Sequence, residues 1–161
     1  MIDHEIYMRA AIDAAEQADD KDGVAIGAVL VDKAGVIVAR GGSMVGVTHD
    51  PTAHAEINCI RMAAKKMQSD DLYEFTLYST LEPCHMCLSA AAWARIPQIF
   101  FGAYRKDVDS TLFDIRGDFS DEKEGRRMNL RERTRMKVIG GIRESECTAL
   151  LAGYHERQKH S

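Results

Sequence analysis

The chain has 161 residues, of which 45% are hydrophobic and 29% charged, with a formal net charge of -4. That length suits one domain with a buried core, expected here to span residues 1–161. The acidic balance argues against a protein whose main partner is a nucleic-acid backbone. No uninterrupted apolar run is long enough to cross a bilayer. Asp3, His4 and Glu5 give the N-terminus neither the basic flank nor the apolar centre of a signal peptide. Cytoplasm is therefore the expected compartment, and there the four cysteines form no disulfide framework.

The first element reads as a helix from Ile2 to Asp19. Ile2, Ile6 and Ala10 recur at helical spacing, and Tyr7, Ala11 and Ala14 widen the stripe. Ala25 to Val31 is a short apolar run rich in β-branched residues, which predicts a buried strand. A turn at Asp32-Lys33-Ala34-Gly35 leads to a hairpin partner from Val36 to Ala39. Gly41, Gly42, Ser43 and Gly46 read as a flexible loop. Pro51 and Thr52 then favour a helix from Ala53, with Ile57, Ile60, Ala64 and Met67 on one face. Phe75 to Ser79 alternates as a strand, and a helix follows from near Cys84 to Arg95 until Pro97 stops it. Gln98 to Phe101 is a further strand. Beyond it, 107–118 reads as irregular or short helical, 121–135 as a charge-dense helix and Met136 to Ile139 as the last strand. Glu144 to Lys159 reads as a helix with Cys147, Leu150, Leu151 and Tyr154 on its apolar face. Strands alternating with helices in this way predict a layered α/β domain.

Two short stretches carry the chemistry. Asp50-Pro51-Thr52-Ala53-His54-Ala55-Glu56 supplies one histidine, and Leu81-Glu82-Pro83-Cys84-His85-Met86-Cys87 supplies two cysteines. One imidazole and two thiolates suit a tetrahedral zinc ion whose fourth position is left for water. A helix N-terminus beginning near Cys84 favours thiolate over thiol at both cysteines. Glu56, two positions after His54, lies in the first turn of its helix, beside the metal without binding it, and can shuttle protons. A structural zinc knuckle would want a fourth protein ligand, for which only His85 and Cys59 lie near in sequence. A redox Cys-x-x-Cys would leave His54-Ala55-Glu56 unexplained.

H-x-E followed by P-C-x-x-C is the signature of zinc nucleobase deaminases. The chain resembles the cytidine/nucleoside deaminase superfamily over nearly its whole length. It is most similar to the compact branch of bacterial guanine deaminases, yeast-type cytosine deaminases and tRNA adenosine deaminases. The resemblance implies a three-layer α/β/α fold with a mixed five-stranded sheet between helices, and one zinc per subunit held between two helix starts by His54, Cys84 and Cys87. It also implies Glu56 as proton shuttle, the N–H groups of Ala55 and Cys84 as hydrogen-bond donors, and the carbonyl of Glu82 as acceptor for the substrate amine. Related proteins are homodimers or larger, so a homo-oligomer is expected.

The base-reading positions depart from the relatives. An asparagine usually stands eleven positions before the zinc histidine; here that residue is Ser43. Ile26 falls where relatives place an apolar pocket wall. The segment 103–114 aligns with guanine deaminases, but their Phe-Asp is followed by a second acid, and here Phe113-Asp114 is followed by Ile115. Either Asp114 takes over that contact or guanine is not the substrate. Tyr104, Trp93 and Phe113 are candidate ring-stacking walls, with ordinary core packing as the competing reading.

The expected function is thus hydrolytic deamination of a free nucleobase, of cytosine, isocytosine or guanine type, with release of ammonia. The alternative is a tRNA-specific adenosine deaminase. Gly102-Ala103 and Lys106 fit that alternative, but the later Gly-Ala pair of those relatives is missing. Seven basic residues between Lys123 and Lys137, against Glu124 and Glu132, form either an RNA-facing stripe or a solvated helix face. A zinc-stabilised binding module without catalysis is a third reading.

Overall fold

The computed structural model describes residues 3–108 and 135–160. Helix α1 (His4–Asp19) begins where the Asp3 carboxylate accepts the N–H of Glu5 at 3.0 Å, satisfying one of the donors a helix start leaves unpaired. Its buried face is built from Met8, Ala11, Ile12, Ala15 and Ala18, whereas Ile6 is 62% exposed. Of the expected stripe, Ala10, Ala11 and Ala14 are buried and Tyr7 partly so, and only Ile6 among its described members faces out. The helix turns its alanines inward, and small side chains let it lie directly on the sheet. Gly27 of the facing strand shows how close: a Cβ there would strike the backbone of Ala11 and Ala15.

Strands β1 (Val24–Val31) and β2 (Ile37–Ser43) form the expected antiparallel hairpin. β2 runs further than Ala39, because Gly41, Gly42 and Ser43 continue the ladder opposite Ala28, Gly27 and Val24. The glycines are there for close approach, not for a loose loop. A Cβ on Gly41 would stand 2.6 Å from the Ala55 carbonyl and 2.8 Å from the Cys59 nitrogen. A short helix α2 (Val45–Thr48) follows where the sequence suggested only loop.

Helix α3 (Ala55–Met67) leads to β3 (Thr76–Leu81), helix α4 (His85–Trp93), β4 (Gln98–Ala103) and a 3-10 turn at Arg105–Asp107. β5 (Lys137–Ile139) and helix α5 (Glu144–Lys159) complete the described chain. The sheet order is β2-β1-β3-β4-β5. β1 is antiparallel to β2 and β3, while β3, β4 and β5 are parallel, so the sheet is mixed as expected. The stretch 109–134, with the helical expectations placed on it, lies outside the described residues.

Two apolar layers sandwich the sheet. Ala28, Leu30, Leu77 and Ile99 pack against Ala55, Cys59 and Ala63 of α3 and Leu88 and Ala91 of α4. Val29, Val31, Tyr78 and Phe100 pack on the other face against Met8, Ala11 and Ile12 of α1 and Cys147 and Leu151 of α5. The period-2 alternation of β3, with Leu77 to one side and Tyr78 to the other, is what serves both layers. Arg9 meets Glu146 at 3.4 Å and Arg157 meets Asp19, tying α1 to α5 across the surface. Such exposed pairs add little stability beside the apolar layers. Among the described residues no helix is long and apolar enough to cross a membrane.

Candidate active site

The N-termini of α3 and α4 meet beside the carboxyl end of β3. The turn into α3 is made by Asp50, whose Oδ1 accepts the Thr52 N–H at 2.8 Å and the Thr52 hydroxyl at 2.7 Å. These bonds hold the Asp50 carboxyl below the usual carboxylate range. The chain then leaves His54 extended, φ -66° and ψ 155°, as the cap of α3. Asn58, one turn on, donates its amide to the carbonyls of Gly42 at 2.9 Å and Ala53 at 3.1 Å. It thereby pins the loop between β2 and α3 to the helix that carries the histidine.

Cys84 caps α4 in the same extended conformation, φ -71° and ψ 170°, and Cys87 sits in its first turn. Pro83, just before, disfavours helical backbone at Glu82 and so keeps α4 from starting earlier. Both sulfurs lie 3.7 Å from His54 Nδ1, and the three donor atoms fall within 4.8 Å of one another. Tetrahedral zinc with bonds of about 2.3 Å to sulfur and 2.0 Å to nitrogen places its ligand atoms about 3.5–3.8 Å apart. The donor set and the two sulfur–nitrogen distances therefore fit zinc. Among the described residues, no fourth histidine, cysteine or carboxylate belongs to the group. Cys59 is turned away, its thiol directed to the Ala39 carbonyl at 3.5 Å and its pKa pushed up by burial.

Electrostatically the cluster leans toward metal binding. Cys84 is held down to about 3, first by its hydrogen bond from Cys87, with burial opposing and His54 assisting. Cys87 is pushed up, because that shared proton stays with it and because it is buried. Contact with Cys84 raises His54, against the opposing effect of burial. Zinc held there would take the place of the shared proton, with both sulfurs as thiolates.

Glu56 is only 4% exposed. Burial raises its pKa first and the charge of Cys84 adds to the shift. Its Oε1 accepts a hydrogen bond from Ser79 Oγ at 3.2 Å. It stands outside the metal-holding group, as a proton carrier would.

The other expected site residues divide. Ala55 is fully buried at the start of α3, and Ser43 is 3% exposed at the end of β2. The Glu82 carboxylate accepts the Arg105 N–H at 3.2 Å, so its side chain anchors the loop after β4. Ile26 packs against both core layers. Trp93 is 88% exposed at the far end of α4. It lies nine residues beyond Cys84, about 13 Å along the helix axis, so it walls no pocket beside the metal ligands. Tyr104 stands edge-on to Phe101, with ring centroids 5.0 Å apart, and Lys106 Nζ lies 5.4 Å from its ring. Phe113 and Asp114 lie outside the described residues. Ser79 and Asn58 were missed. A hydroxyl inside the buried run Leu77–Leu81 was the available signal for Ser79. A lone asparagine on a helix gave none for Asn58.

Residues 1–103 match the family described as the cytidine and deoxycytidylate deaminase zinc-binding region. Fold and site point to that class of zinc-dependent deaminase, and the chain belongs to this family. Among its relatives, the tRNA-specific adenosine deaminase of Haemophilus influenzae is 36% identical over 155 residues, covering 96% of this chain and 84% of that one. The guanine deaminase of Bacillus subtilis is 40% identical over 114 residues, covering 70% and 72%. A solved guanine deaminase from Nitrosomonas europaea superposes with a TM-score of 0.84 at 24% identity over 97% and 86%, which speaks for the fold alone.

These relatives correct the expectation of a free-base substrate. Proteins named tRNA-specific adenosine deaminase recur in Bacillus subtilis, Agrobacterium fabrum and two Buchnera lineages, and most of them match along nearly the whole chain. Free cytosine and isocytosine have no counterpart among the relatives described. An overall acidic balance says little about a local contact surface, so it does not exclude a nucleic-acid partner.

Proposed function

We propose that this protein is a zinc-dependent adenosine deaminase acting on tRNA, converting adenosine to inosine with release of ammonia. The observation that carries it is Glu56, buried beside a His–Cys–Cys group in a chain 36% identical along 96% of its length to a tRNA-specific adenosine deaminase. The run from Lys123 to Lys137, with seven basic residues, supplies local positive charge suited to a phosphate backbone. The same reading takes residues 1–161 as one deaminase domain working as a homo-oligomer.

In this mechanism His54, Cys84 and Cys87 would hold zinc, which as a Lewis acid would lower the pKa of a water toward about 7. Glu56 would accept a proton from the attacking water as the water oxygen bonds to C6 of the adenine ring. Glu56 then delivers the proton to N1, so charge does not build up on the ring. The hydroxyl now on C6 gives up its proton, which passes through Glu56 to the exocyclic nitrogen as the C6–O double bond forms, the C6–N bond breaks and ammonia leaves. The N–H groups of Ala55 and Cys84, at two helix starts, offer positive dipole ends toward the reacting centre. Ser43 and Ile26, from adjoining strands, are the proposed base contacts, with the Glu82 carbonyl as acceptor for the amine.

The test presents zinc-loaded protein with tRNA, with free adenine, guanine and cytosine, and with their nucleosides, and measures inosine and ammonia. Inosine in tRNA with no ammonia from the small molecules supports the proposal. Ammonia from a free base with no inosine in tRNA refutes it.

A further inference from the structure

Strand β3 is the middle of the sheet, held on one side by β1 through Ser79 opposite Ala28 and on the other by β4 through Ser79 opposite Phe101. Its residues Leu77 to Leu81 are all buried. A serine in such a strand is costly unless its hydroxyl finds a partner. The neighbouring Thr80 meets this demand structurally, its Oγ1 accepting the Gly27 N–H at 3.1 Å on the strand alongside. Ser79 meets it differently: its Oγ donates to Glu56 Oε1 at 3.2 Å, inside a side chain that is 0% exposed.

We propose that Ser79 is a positioning residue that locks the Glu56 carboxylate between sheet and helix, so that one oxygen is tied to β3 and the other is left to carry protons. The proposal rests on the reading of Glu56 as proton carrier. Glu56 is anchored by its backbone in the first turn of α3 and by its carboxylate on β3, two elements that pack together independently of any substrate. The side chain also meets the Cys87 sulfur, so the carboxyl group lies beside the metal-holding residues. An alanine at 79 would occupy nearly the same space and keep the strand, leaving the carboxylate its contacts with the Glu56 N–H and the Cys87 sulfur but no tie to β3. A terminal carboxylate torsion is soft, so the hydrogen bond is what selects one orientation.

The experiment compares full-length zinc-loaded wild type with Ser79→Ala and Ser79→Thr by two readouts. Crystal structures, which need no substrate, should show one Glu56 orientation in wild type and in the threonine variant, and a displaced or divided one in the alanine variant. On whichever substrate the wild type deaminates, Ser79→Ala should lower kcat about 10- to 100-fold, by analogy with the loss of hydrogen bonds that orient metal ligands. KM should stay within about twofold, because substrate binding does not use this hydroxyl. Ser79→Thr, which keeps the hydroxyl, should restore kcat. An alanine variant with Glu56 in its original orientation, or with unchanged kcat, overturns the proposal. If wild type forms no inosine, the tRNA reading fails alone, and the crystallographic comparison still decides the role of Ser79.

Discussion

Gly41→Ala should weaken both the fold and the metal site, although the residue touches neither zinc nor substrate. A Cβ at Gly41 would stand 2.6 Å from the Ala55 carbonyl, and ordinary contact begins at 3.4 Å. The first turn of α3 must therefore move about 0.8 Å from β2, or β2 must bend away. Overpacking of this kind costs about 1–3 kcal/mol. Alanine returns about 0.4–1 kcal/mol by narrowing the unfolded ensemble. The steric term wins, leaving a net loss of about 1–2 kcal/mol. For a domain of this size that lowers Tm by about 2–8 °C. His54 caps the displaced helix while Cys84 and Cys87 belong to another, so zinc should also be lost at lower chelator concentration. Thermal melting and chelator competition measure both. Gly46→Ala is the control, since nothing lies within 4 Å of that Cβ. A Gly41→Ala protein that melts with wild type and holds zinc as tightly would refute the packing argument.

Asn58→Ala removes the amide that binds the Gly42 and Ala53 carbonyls; it should cost about 1–3 kcal/mol in chemical unfolding and loosen zinc. Trp93→Ala should leave kcat unchanged and stability within about 0.5 kcal/mol, because the ring is exposed and far from the ligands; a collapse of kcat would restore it as a pocket wall. In metal-free protein, burial has raised the Glu56 pKa above its unfolded value. Its protonated form thus supports the fold fully below the unfolded pKa, and that support is lost as pH rises through the folded pKa. Glu56→Gln, which cannot ionise, should therefore melt higher than wild type in metal-free protein at neutral pH, with the difference vanishing in acid. Equal melting at both pH values would show that the carboxylate bears no burial penalty.

The layered α/β fold with its mixed five-stranded sheet was legible in the sequence, and so was a His–Cys–Cys group able to hold a metal. His54, Cys84 and Cys87 were legible because metal ligation fixes residue type and spacing together, and the structure brings their donor atoms within 4.8 Å. The strands were legible because buried runs of β-branched residues have few other uses. Ile6 misled because its size suggested burial, where the close packing of α1 on Gly27 selects alanine. Gly41 and Gly42 misled for a related reason: glycine serves close approach as well as loops, and one-dimensional pattern does not separate the two. The Ser79 bond to Glu56 joins residues 23 positions apart, a pairing that only the packing of α3 on β3 creates. Substrate choice was least legible, since net charge averages over the whole surface and says little about any one local contact.

The most direct measurement is single-turnover inosine formation in a tRNA substrate by wild type and by Glu56→Gln, at equal zinc content. The account predicts conversion by wild type and a rate at least about 100-fold lower for the glutamine variant, as general acid–base roles typically supply. A glutamine variant that retains zinc and forms inosine as fast as wild type would contradict it.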